Sequence, residues 1–162
     1  GLRRFVNIFF GEMEDVLVGM SLDEPDFPMR GGMRIVRHGI VLPSGLVLKY
    51  RGLEGSREDG WSYVGSGYSK ARSHLYGGLL TENIVQALAR CIVADQMQAL
   101  RALYNYRVVM MTHDEVVLCV PEVQAEAALE HAVGIMKIPT AWAPDLPLSA
   151  EGGIGKKYGD AK

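Results

Sequence analysis

The stretch from Thr81 to Leu103 places the strongest constraint on how this chain folds. Its apolar residues Ile84, Val85, Leu88, Ile92, Val93, Met97, Leu100 and Leu103 recur at helical intervals on one side. That spacing predicts one long amphipathic helix, which must lay this side against other elements. Thr81 follows the breaker pair Gly77 and Gly78 and reads as the N-cap. Two apolar runs come next, Arg107 to Met111 and Val116 to Val120, split by the polar residues Thr112, His113, Asp114 and Glu115. They predict a β-hairpin with strands buried on both faces. Pro121 then opens another helix, to about Lys137.

Upstream, Leu2, Phe5, Val6, Phe9, Met13, Val16 and Leu17 predict an amphipathic helix over residues 2–18. Asp23 to Gly32, with Pro25, Pro28 and paired glycines, cannot continue it. Short β-like runs follow at Arg34 to Leu42, Leu46 to Arg51 and Trp61 to Val64, the first two separated by Pro43, Ser44 and Gly45. Ser66 to Gly78 reads as a polar connection. The last 24 residues are turn-rich, and a short closing strand is expected near Leu148. The fold class is α+β: an antiparallel hairpin joined by a C-terminal strand and packed on two helices, with a small additional β-element. The expected domains are 1–33 (helix and linker), 34–72 (small basic β-element) and 73–162 (the segment carrying the hairpin).

With 162 residues, 48% of them hydrophobic, the chain can bury a real core and is no disordered tail. The longest apolar runs are about five residues, against roughly 18 to 20 for a membrane-spanning helix, so no membrane segment is expected. Arg3 and Arg4 before Phe5 to Phe10 are too short a secretory signal, and Glu12, Glu14 and Asp15 follow at once. The chain begins at Gly1 rather than Met and reads as a fragment. Cys91 and Cys119 lack metal-type spacing and read as buried free thiols in a reducing compartment.

Charge is uneven. Residues 30–72 hold eight basic groups and three acidic ones, a balance of +5 against -7 elsewhere. Such a segment is able to lie along a polyanion, or to be an ordinary solvated surface.

Asp114 and Glu115 are out of keeping with the apolar runs beside them. A tight two-residue hairpin turn prefers Asn-Gly or Asp-Gly, and this tip has no glycine. Carboxylates near a core must be paired, hydrated or bound to a cation. Single oxygen ligands completed by substrate phosphates suit Mg²⁺. Plain turn roles remain open for Asp114 and for His113. On the long helix, Asn83, Gln86 and Arg90 fall at i, i+3 and i+7. Amide donors there suit the acceptors of a minor groove, with an exposed helix face as the alternative. Gly152 to Lys157 looks like a phosphate loop, but the pattern fails at Ala150 and Lys157. His38, His74 and His131 are scattered and read as surface or packing residues.

Taken together, YGGLLTENIVQALARCIV and, about 20 residues later, MTHDEVVLCV resemble the C-terminal part of family A DNA polymerases, particularly the bacteriophage members. The resemblance extends through IVLPSGLVLKYRGL upstream and LSAEGGIGKKYGD downstream, over roughly residues 35 to 160. It implies that Asp114 is the motif C aspartate of the palm, Glu115 the acidic residue beside it, and His113 the histidine near the primer terminus. The two carboxylates would then hold catalytic Mg²⁺ in a two-metal site. The long helix would face primer and template, making Asn83, Gln86 and Arg90 DNA contacts, although Leu80 stands where bacterial members carry a Gln. Implied partners are primer–template DNA, deoxynucleoside triphosphates and a missing N-terminal polymerase segment. The implied location is the cytoplasm of a bacterial cell or phage-infected host.

The family's motif A aspartate and nucleotide-holding fingers helix are not found in the sequence, nor are thumb or exonuclease segments. Residues 1–18 read as the last fingers helix. The isolated chain is expected to bind metal poorly and not to extend primers. The rival expectation is a free-standing, non-catalytic DNA-binding palm remnant or split-polymerase subunit. A small metal-dependent hydrolase using His113, Asp114 and Glu115 is a third, lacking further ligands.

Overall fold

The computed structural model describes residues 2–65 and 71–161. Among them are three α-helices and three antiparallel sheets, the expected α+β class, divided between two compact units, Gly1–Leu88 and Ala89–Lys162. Residues 66–70, including Lys70 of the basic segment, lie outside the described residues, as do the side chains at positions 2–11.

In the first unit, α1 (Leu2–Ser21) precedes a four-stranded sheet of β1 (Phe27–Pro28), β2 (Arg34–Val36), β3 (Gly39–Val41) and β4 (Val47–Lys49), in that order. The single strand expected from Arg34 to Leu42 is therefore two strands. They are joined by a turn at Arg37 and His38, with His38 in the left-handed region at φ 55°. No glycine or proline marks that turn centre, which is why the run reads as continuous. Gly39 follows at a close approach: a Cβ there would lie 2.7 Å from the Leu48 carbonyl oxygen. Ile35, Ile40 and Leu48 share one register, and α1 covers this sheet where Gly19 leaves room for the Ile35 side chain.

The second sheet runs β5 (Glu54–Ser56), β6 (Gly60–Val64), β7 (Arg72–Leu75). Strand β7 corrects the expected polar connection over Ser66 to Gly78. Its RSHL sequence has one buried residue, Leu75, and it becomes a strand by pairing with β6 rather than by its own pattern. Leu17, Met20, Ile40, Tyr50, Trp61 and Leu75 centre the core of this unit. Two polar contacts lie at its edge: the Trp61 indole donates to Glu14 Oε2 at 3.1 Å, and Arg57 pairs with Asp15.

Helix α2 (Gly77–Tyr104) begins earlier than expected. Thr81 is not its N-cap. The Leu80 N–H already bonds the Tyr76 carbonyl at 2.9 Å, and the Thr81 hydroxyl donates to the Gly77 carbonyl at 2.8 Å. First-turn N–H groups have no intrahelical acceptor in any case, so the two glycines fit the helix start.

In the second unit, β8 (Val108–Thr112) and β9 (Glu115–Leu118) form the expected hairpin. Its strands are not buried on both faces: Val109 is 50% and Met110 37% exposed. Among the described residues the sheet has two strands, and a register shift at Val109 turns that residue outward. The helix expected after Pro121 starts with a 3₁₀ turn, Glu122–Gln124, and continues as α3 (Ala125–Met136). The buried Gln96 amide donates to the Met136 carbonyl at 3.0 Å, joining α2 to the end of α3.

The closing strand near Leu148 is absent among the described residues: no strand follows Leu118. Pro139, Pro144 and Pro147 remove the N–H donors a ladder would need. Cys91 is buried as expected, whereas Cys119, just past the end of β9, is exposed. No described helix is long and apolar enough to cross a membrane.

Candidate functional site

The two strands of the hairpin pair up to Thr112 and Glu115, leaving His113 and Asp114 as a two-residue turn. His113 takes φ 53°, the left-handed conformation that a glycine or asparagine ordinarily supplies in such turns. Thr112, His113, Asp114 and Glu115 are all exposed. The tip thus presents two adjacent carboxylates to solvent, rather than holding them near a core.

The two carboxylates differ in their surroundings. Among the described residues Asp114 has no hydrogen-bond or ion-pair partner, while Glu115 Oε2 accepts a hydrogen bond from the Tyr158 hydroxyl. Donation to that carboxylate holds the Tyr158 pKa above its ordinary value, with desolvation adding to the effect. Tyr158 sits on a 3₁₀ turn, Tyr158–Asp160, and the glycines before it pack against that turn. A Cβ at Gly153 would lie 2.5 Å from the Ala161 carbonyl oxygen, and one at Gly155 would lie 2.7 Å from the Ala161 nitrogen. The glycines of GGIGKK therefore serve the fold-back of the tail. Sequence reasoning missed Tyr158 because nothing local to it signals a partner 43 positions away.

As metal ligands, Asp114 and Glu115 fit part of a shell. Each can give one oxygen to a hard cation such as Mg²⁺, which prefers six-fold octahedral coordination and keeps waters or substrate phosphates. Among the described residues no group of three or more His, Cys, Asp or Glu side chains converges to hold a metal ion. The other ligands would have to come from outside these residues.

The polar stripe of α2 is not one set of equivalent donors. Asn83 is half-buried and its Nδ2 donates to the Tyr50 hydroxyl at 3.0 Å. Burial pushes the Tyr50 pKa up, and the Asn83 hydrogen bond partly opposes that. Gln86 is exposed, its Nε2 donating to Glu82 Oε1 at 3.0 Å. Arg90 is exposed and faces an open groove of the second unit, together with Arg101 and Arg107, two residues the spacing argument did not single out.

In the basic segment over residues 30–72, four arginines meet carboxylates of their own unit. Arg34 pairs with Asp26, Arg37 with Asp23 at 3.3 Å, Arg57 with Asp15, and Arg72 with Glu54 at 3.0 Å. The Arg34 guanidinium holds the Asp26 carboxyl below its ordinary pKa. These contacts lower the positive charge that a polyanion would meet there.

Comparison with known proteins gives the chain a relative. It is 44% identical over 88 residues to a DNA polymerase of Bacillus phage SP02. The match covers 54% of this chain and 13% of the relative, so it concerns a small part of that protein. No family profile matches the chain, and no solved structure does. The similarity supports reading the chain as part of a DNA polymerase.

Proposed function

We propose that this chain is the C-terminal palm part of a family A, DNA-directed DNA polymerase of the bacteriophage kind. The observation that carries the reading is its 44% identity, over 88 residues, to a phage DNA polymerase. The solvent-facing hairpin tip is compatible with it, since a nucleotidyl-transfer site must expose its carboxylates to DNA and nucleotide.

In this reading Asp114 and Glu115 supply oxygen ligands to catalytic Mg²⁺, and the remaining ligands come from an N-terminal polymerase segment. Bound Mg²⁺ lowers the pKa of the primer 3′-hydroxyl and offsets charge on the transferring phosphate. Tyr158 orients the Glu115 carboxylate and leaves its other oxygen for ligation. His113, in the turn itself, lies beside the primer terminus. Gln86 and Arg90 are the more available DNA contacts of the helix stripe, because Asn83 must first give up Tyr50. Primer–template DNA and deoxynucleoside triphosphates are the substrates of the whole protein, and the 162-residue chain alone does not extend primers.

The test is primer extension by the full-length polymerase with Mg²⁺ and all four deoxynucleotides. Asp114→Asn lowers the rate by at least about 10²-fold, the usual scale for losing one group that stabilises transition-state charge. Wild-type rates in Asp114→Asn overturn the assignment. Extension by the 162-residue chain alone, abolished by Asp114→Asn, overturns the division of the metal site between segments.

A further inference from the structure

Arg90 belongs to a second feature, independent of the hairpin tip. In the Ala89–Lys162 unit, Arg90, Gln98 and Arg101 of α2 and Arg107, which precedes β8, line an open groove of about 840 Å³. Among the described residues no carboxylate lines it, and its three guanidinium groups carry a formal charge of +3. Between them the surface is apolar, formed by Met97, Val108, Met111 and Tyr106. Tyr106 is held in place: its hydroxyl lies 2.9 Å from His131 Nδ1, and His131 stacks on Tyr104 at 3.9 Å between ring centroids. Arg101 is held as well, Nη1 donating to the Asn105 carbonyl at 3.4 Å.

We propose that this groove binds a single strand of DNA through its phosphodiester backbone. Arg101 follows Arg90 by eleven positions on one helix, about 16 Å along its axis, too far for one phosphate ion to bridge. A run of consecutive phosphates spans it. Guanidinium groups match phosphate oxygens in pairs, and three of them without a neighbouring carboxylate form a track. The apolar floor selects a single strand over a duplex, because only unpaired bases expose faces that can pack on Tyr106, Met97 and Met111. An acidic peptide would satisfy the charge alone. The choice of DNA over such a peptide rests on the reading of the chain as a polymerase part.

The experiment is fluorescence anisotropy of a labelled oligothymidylate of about 12 nucleotides, titrated with the 162-residue chain across a series of salt concentrations. Wild type is compared with Lys137→Gln, an exposed cation outside the groove, and with the triple variant Arg90→Gln, Arg101→Gln, Arg107→Gln. The triple variant binds at least about tenfold more weakly. Its plot of log affinity against log salt is shallower by about 2, since each single-strand phosphate contact contributes about 0.7. Lys137→Gln binds like wild type, and a duplex of equal length binds more weakly than the single strand.

All three arginines are exposed, and the thermal melt of the triple variant checks its fold. Arg107→Gln alone, outside the helix, lowers the slope by about 0.7 and keeps the test open if the triple variant fails to fold. Unchanged affinity and slope in the folded variant overturn the proposal. So does displacement of the oligonucleotide by polyglutamate as readily as by unlabelled DNA. Loss of binding in the arginine variant, with primer extension surviving Asp114→Asn in the full-length protein, would remove the catalytic reading and leave the groove in place.

Discussion

The two compact units place their arginines differently. In Gly1–Leu88, Trp61 donates to Glu14, Asn83 to Tyr50, and four arginines meet carboxylates around one continuous buried cluster. Among the described residues of Ala89–Lys162, Asp114 has no partner, three arginines line a groove with no carboxylate, and the two-stranded hairpin leaves Val109 and Met110 partly exposed. Arginines paired with carboxylates of their own unit are largely neutralised, whereas arginines gathered without a carboxylate leave a positive surface open to an anion.

The contrast is broken most directly in the core of the first unit. Leu17 is fully buried, so Leu17→Ala costs about 2–5 kcal/mol, read from urea unfolding followed at the fluorescence of Trp61. Trp142 lies in the other unit and serves as the internal comparison.

A smaller effect is expected at Tyr50. Burial raises its folded pKa above the ordinary 10.0, so the neutral phenol stabilises the fold at neutral pH. That contribution is whole below pH 10 and is lost as pH rises through the folded pKa. Unfolding midpoints at Trp61 between about pH 7 and 11 fall at the alkaline end, and Tyr50→Phe flattens the fall. The substitution itself costs about 1 kcal/mol at pH 7 by leaving the Asn83 amide unpaired. The smallest effect is expected on the exposed hairpin: Val109→Ala changes stability by about 0.5 kcal/mol or less, in the same urea titration. A larger loss there would mean that this strand is better buried in solution than its exposure implies.

Much of this fold is legible in the sequence wherever one periodicity runs long. The apolar stripe from Ile84 to Leu103 places α2, and the two apolar runs flanking Thr112 to Glu115 place the hairpin. Legibility fails where pairing partners, not local pattern, make the structure. The polar strand Arg72–Leu75 exists through its ladder to β6, and the Arg37–His38 turn is made by a histidine in a conformation usually left to glycine. At the candidate site, the two carboxylates stand out because charge interrupts apolar runs. Their surroundings do not: Tyr158 reaches Glu115 from the far end of the chain, and Arg107 joins Arg90 and Arg101 only once the chain after α2 has turned back.

The central claim, that the arginine track for a single strand belongs to Ala89–Lys162 while Arg34, Arg57 and Arg72 of Gly1–Leu88 are taken up by carboxylates of their own unit, is tested most directly by NMR. The arginine Nε–H resonances of the 162-residue chain are followed during titration with single-stranded oligothymidylate. The account predicts that Arg90, Arg101 and Arg107 shift with saturation while Arg34, Arg57 and Arg72 hold their positions. Movement of Arg34, Arg57 and Arg72, with the groove arginines still, would contradict it.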